Sequence, residues 1–97
     1  MKISFVGEFD QRYRELTAEN SELKVLVDQK VMWFKKNPND TRLDNHALTK
    51  QMEGKWAFNI TDDIRIVYEW LGKNTVRFLA IGSHKEVYKS LNQKLPS

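Results

Sequence analysis

Two stretches of the chain hold side chains able to move protons beside a phosphate. Ser83-His84-Lys85-Glu86 fits a capping box, in which Ser83 satisfies the third amide of a helix and Glu86 returns the bond. His84 then occupies the first helical position, and Tyr88, four residues on, shares its face. Free N–H groups at a helix start favour anions, so the spacing sets an imidazole and a phenol beside a natural seat for phosphate. The other stretch is Asp63-Ile64-Arg65, whose alternation puts a carboxylate and a guanidinium on one strand face. His46, the first of the two histidines in the chain, stands in a polar connection upstream. Each residue also has a plain structural reading. His46 suits a solvated loop or a cap, His84 a helix-start residue, Tyr88 a ring packed on a sheet, Arg65 a cross-strand ion-pair partner of Asp63 or of the neighbours of Glu69, and Asp63 a turn.

The elements that must position these groups follow from periodicity. Lys2 to Val6 alternate polar and apolar as a short first strand does, and Gly7 breaks the pattern. Glu8 to Leu16 predicts a short helix with Phe9, Tyr13 and Leu16 on one side. After a polar turn at Thr17–Ser21, with Asn20 or Ser21 as N-cap, Leu23, Leu26, Val27, Val31 and Phe34 recur at helical spacing. Lys35 and Lys36 suit the last turn of that helix, and Pro38 stops it. Residues 37–54 read as a polar connection ending at Gly54. From Lys55 the period becomes two, through Trp56, Phe58 and Ile60, then Ile64, Ile66, Tyr68 and Trp70, then Thr75 to Ile81. Thr61-Asp62-Asp63 and Leu71-Gly72-Lys73-Asn74 supply the turns. The predicted class is α+β: a small antiparallel sheet of about four strands, two N-terminal helices packed on one face, and a short C-terminal helix. Trp56, Phe58, Ile64, Ile66 and Phe34 are its predicted core.

Ninety-seven residues, 40% of them hydrophobic, suit one domain over 1–97 and exclude wholesale disorder. With no cysteine there is no disulfide, thiolate metal site or cysteine nucleophile. The net charge of +3 permits a nucleic-acid partner without demanding one. The start, Met1 to Phe5, lacks the apolar region of a signal peptide, so a cytoplasmic location is expected.

The second half of the chain resembles a known family. His46-Ala47-Leu48, Gly54-Lys55-Trp56-Ala57-Phe58-Asn59-Ile60, Asp62-Asp63-Ile64-Arg65-Ile66-Val67-Tyr68 and Ile81-Gly82-Ser83-His84-Lys85-Glu86-Val87-Tyr88 follow the pattern of the RelE/ParE superfamily of bacterial type II toxins. The pattern is closest to the YafQ branch of RelE-type mRNA interferases. The resemblance implies a ribosome-dependent endoribonuclease that cuts mRNA in the decoding site, uses no cofactor or metal, and is held inactive by a cognate antitoxin. It further implies roles for five residues. His84 and His46 are the proton-transfer histidines, Arg65 binds the scissile phosphate, Asp63 is the YafQ-type carboxylate, and Tyr88 stacks on a base of the message. The chain departs from its relatives at Ala57 and Asn59, where YafQ-type toxins carry an aspartate and a histidine, and at Trp56 and Phe58, where other members carry lysines. Two alternatives share the fold: a ParE-like inhibitor of DNA gyrase, and a weakly active or decayed toxin that only binds its antitoxin.

Overall fold

The computed structural model describes residues 1–92. Strand β1 (Lys2–Phe5) leads into helices α1 (Gly7–Thr17) and α2 (Ser21–Lys36). Strand β2 (His46–Ala47) follows, between two single 3₁₀ turns at Thr41–Leu43 and Lys50–Met52. Strands β3 (Trp56–Asn59), β4 (Ile64–Gly72) and β5 (Thr75–Ser83) form a meander, and α3 (His84–Asn92) continues directly from β5. No helix among the described residues is long and apolar enough to cross a membrane.

Local chemistry explains the helix limits. The Asn20 side chain accepts the Leu23 amide at 3.0 Å, which fixes the start of α2 by satisfying one of its orphan donors. Lys35 and Lys36 occupy its last turn, and the Asn37 amide closes on Trp33 before Pro38 ends the run. The apolar stripe of α2 buries Val27 and Phe34 against the sheet. Phe34 stacks on Phe58 at 4.5 Å between ring centroids and meets Tyr68 edge-on at 4.8 Å. Such aromatic pairs add about 0.5–1.5 kcal/mol each beyond the area they bury.

The sheet order is β1-β5-β4-β3-β2. It has five strands and is mixed, which corrects the expected antiparallel sheet of about four. β1 lies parallel to β5, Lys2 opposite Thr75 and Phe5 opposite Phe78. The helical hairpin carries the chain away from the end of β1, so its strand-mate comes from the far end of the sequence. His46–Ala47, read as connection, pairs with Ala57 and Trp56 as a two-residue edge strand. Two residues are too few to display a period of two.

The two faces of the sheet are built from different sizes of side chain. Phe58, Ile60, Ile66, Tyr68, Val76, Phe78 and Ile81 lie under α1 and α2, with Trp56 and Ile64 half-buried beside them. The opposite face carries Ala57, Val67 and Ala80, and α3 settles on it through Val87 and Leu91, with Leu48 and Met52 closing the second cluster. Small residues let the helix approach closely. A register shift makes both faces possible in β5. Phe78 pairs with Tyr68 and Ala80 with Val67, leaving Leu79 as an extra residue. The bulge exchanges the faces of the residues that follow, which is why this strand reads as apolar on both sides.

Candidate active site on the α3 face

The capping box forms as its spacing predicts. Ser83 Oγ accepts the Glu86 amide and the Ser83 amide donates to Glu86 Oε1, both at 3.2 Å. Glu86 Oε2 also pairs with Arg12 of α1, so one carboxylate caps α3 and ties it to another helix. Gly82 sits just ahead at φ +154°, where an added Cβ would lie 3.4 Å from the Glu86 Cβ. His84 is exposed at the helix start, and its ring centroid lies 4.3 Å from that of half-buried Tyr88. Both line a cleft of about 550 Å³ whose other wall is the turn Thr49–Met52.

The register places the other groups. His46, Ala57, Val67 and Ala80 form one row across the α3 face, and Asn59, Arg65 and Gly82 form the next. Strand spacing and rise put the His46 and Arg65 Cα atoms about 12 Å apart, two strands over and two residues along. Gly82 beside Arg65 leaves that flank of the guanidinium without a side chain. Four of the five arginines are ion-paired: Arg12 to Glu15 and Glu86, Arg14 to Asp10, Arg42 to Asp40, and Arg77 to Glu69. Arg65 alone has no carboxylate partner among the described residues. Its Nε is buried and unbonded, and so is Oδ1 of Asn59, the residue directly opposite on β3. A buried donor and a buried acceptor left unmet are costly in a finished core. A guanidinium without a carboxylate is available to an external anion.

His46 is oriented by backbone. Its Nδ1 lies 2.8 Å from the Asp44 carbonyl oxygen. A carbonyl only accepts, so Nδ1 carries the hydrogen, and in the neutral ring the lone pair falls on Nε2. Asp44 adopts the left-handed conformation at φ 51°, and its carboxylate accepts the Asn59 amide at 3.2 Å. Next to it, Asn45 accepts the hydroxyl of fully buried Tyr68 at 2.6 Å. Burial pushes that phenol up to about 12. The loop before His46 is therefore fastened to the large core.

Among the residues singled out from sequence, the structure brings His46, Arg65, His84 and Tyr88 to one sheet face. Asp63 is exposed in the turn ahead of β4, which begins at Ile64, and its amide bonds to Thr61 Oγ1 at 3.1 Å. No ion pair joins Asp63 to Arg65, so the ion-pair reading of Arg65 is not realised among the described residues. Sequence reasoning missed Asp44, Asn45 and the Thr49–Met52 wall. An Asp-Asn pair after a one-turn helix was the available signal, since these residues tolerate left-handed backbone.

The family model described as a bacterial toxin of type II toxin-antitoxin systems, YafQ, matches residues 1–89. No curated protein matches the chain. Among solved structures, a YoeB/ParE toxin from Agrobacterium tumefaciens superposes with a TM-score of 0.75 at 19% identity, covering 87% of this chain and 99% of that one. YafQ from E. coli strain BL21(DE3) gives 0.74 at 17% identity, covering 90% and 97%. The E. coli DinJ-YafQ complex gives 0.69 at 18%, with the same coverage. At these identities the structures establish the fold. Together with the family match over nearly the whole chain, they show that this protein belongs to the YafQ family of type II toxin-antitoxin toxins.

Proposed function

We propose that the chain is an mRNA interferase, an endoribonuclease that cuts messages in the ribosomal decoding site and is silenced by a cognate antitoxin. The observation that carries the reading is Arg65. It is the one arginine without a carboxylate partner among the described residues, and it stands between Gly82 and Asn59 on the face that also bears both histidines. A phosphodiester is the anion that such a guanidinium accommodates beside groups suited to proton transfer.

Cleavage then proceeds without a cofactor. Nε2 of His46 takes the proton of a ribose 2′-OH, and that oxygen attacks the adjacent phosphorus. Arg65 stabilises the charge gathering on the phosphoryl oxygens, and the bond to the 5′-oxygen breaks. His84, exposed on the cleft wall, protonates the departing oxygen. The products are a 2′,3′-cyclic phosphate and a 5′-hydroxyl. Tyr88 offers a stacking surface to a base, worth about 1–3 kcal/mol in single-stranded recognition. Asp63 completes the set from the turn that precedes Arg65. The structural likeness to YafQ in its complex with DinJ supports an antitoxin partner for this chain.

Primer extension on a defined message, translated in vitro with purified protein, tests the reading. Cuts at a fixed position within codons are expected, and they disappear without ribosomes and with His84→Ala or Arg65→Ala. Intact messages from a folded, growth-arresting protein would refute it and favour gyrase inhibition. Intact messages from a harmless protein would leave a decayed toxin.

A further inference from the structure

The turn facing His84 carries backbone strain. Lys50 has φ 59°, in the left-handed region that lysine rarely enters. There the Cβ crowds the following carbonyl oxygen, which disfavours any residue but glycine. The surrounding backbone enforces it. The Met52 amide bonds to Thr49, the Glu53 amide to Lys50 and the Lys55 amide to Met52, each at 3.1 Å. Buried Leu48 and Met52 anchor the turn to the second core. Glycine would adopt this conformation without cost, so the local fold does not ask for a lysine.

The strained residue is placed at the cleft. Lys50 lines it opposite His84 and Tyr88, although 34 and 38 positions separate them in sequence. Its ammonium has no carboxylate partner among the described residues, whereas Lys24 on the helical surface is paired with Asp28. Strain held in place by surrounding structure, with an unpaired cation projecting into a cleft, is the pattern of a functional site.

We propose that Lys50 is a further substrate-contacting residue, whose ammonium binds an RNA phosphate flanking the nucleotide seated against Tyr88. The proposal rests on the interferase reading for its substrate, single-stranded RNA. It adds a second cation to Arg65, on the wall that faces His84 and Tyr88, and reaching a different phosphate. The cleft volume of about 550 Å³ lies within the range of roughly 300–1,000 Å³ typical of small-molecule sites.

The test compares Lys50→Gly, Lys50→Ala and Lys50→Arg with the wild type. Three quantities are read: cleavage on programmed ribosomes across a salt series, anisotropy of a fluorescent single-stranded RNA oligonucleotide across the same series, and melting temperature. Lys50→Gly is expected to melt no lower than the wild type, because the strain is gone, yet to cleave and bind about tenfold more weakly. Its log–log salt slope should be shallower by about 0.7, the loss of one phosphate contact on a single strand. Lys50→Arg should keep most of the activity and the slope. A protein that cuts messages equally well with glycine or alanine at position 50, with an unchanged slope, overturns the Lys50 assignment and leaves the interferase standing. A protein that cuts nothing but binds the oligonucleotide through Lys50 refutes the interferase and upholds the assignment. In a protein that cuts nothing, unchanged binding and slope across the Lys50 variants, or no binding at all, overturns both.

Discussion

Replacing Tyr68 with phenylalanine removes one oxygen from the centre of the molecule and should change stability in opposite directions at neutral and alkaline pH. At neutral pH the variant loses the 2.6 Å bond to Asn45. Such a bond is worth about 0.5–1.5 kcal/mol net, and half-buried Asn45 can turn partly to water, so about 1 kcal/mol is expected. For a domain near 100 residues this lowers the melting temperature by about 4–8 °C. At alkaline pH the balance reverses. The folded phenol ionises at about 12, against 10.0 for the free group, because burial disfavours the charged form. A folded value raised above the unfolded one contributes stability that is intact below pH 10 and lost as pH rises towards 12. Across that window the wild type should lose about 1.4 kcal/mol per pH unit relative to Tyr68→Phe. The two stability curves should therefore cross near pH 11. Urea denaturation of both proteins at half-unit steps from pH 8 to 11.5 measures the difference directly, with the remaining tyrosines and lysines cancelling between them. A difference that stays constant over the range would refute the account of Tyr68 as a buried, neutral anchor for the loop that carries Asp44 and His46.

Other perturbations separate function from stability. Arg65→Ala breaks no ion pair among the described residues, so its stability should stay close to wild type, within roughly 0.5–1 kcal/mol, while single-turnover cleavage falls by about 10²–10³. A variant that loses activity only in proportion to its stability would count against phosphate binding. Tyr88→Phe should cleave nearly as the wild type, whereas Tyr88→Ala should weaken substrate saturation by about 1–3 kcal/mol; equal loss in both would point to the hydroxyl instead of the ring. Glu86→Ala removes the return bond of the capping box and the Arg12 tether together, and thermal melting should show a loss of about 1–2 kcal/mol. Raising salt should not restore the difference, since most of it comes from the cap.

The parts of the fold that sequence disclosed are those written locally. The Leu23–Phe34 stripe, the alternation through Trp56–Trp70 and the Ser83–Glu86 box all lie within a few residues of the groups they bond. So did His84 and Tyr88, which one helical turn brings into ring contact. The parts it concealed depend on distant partners. β1 aligns with β5 because the meander completes the sheet around it, and nothing in Lys2–Phe5 announces a parallel neighbour. The left-handed Asp44 that turns its carbonyl to His46, and the Lys50 held against its own preference, are imposed by cores on either side. The isolation of Arg65 was equally hidden, since Asp63, two residues away, looked like its natural partner and lies outside the strand.

The parallel pairing of β1 with β5 also sets a timetable for biosynthesis. Residues 2–5 are made some seventy residues ahead of their hydrogen-bonding partners at 75–78. Contacts of such long sequence separation close slowly and late. The cleft matures later still, because His84 and Tyr88 follow β5 in the chain. A chain that stops before residue 75 therefore has neither the β1–β5 pairing nor the His84 and Tyr88 wall of the cleft.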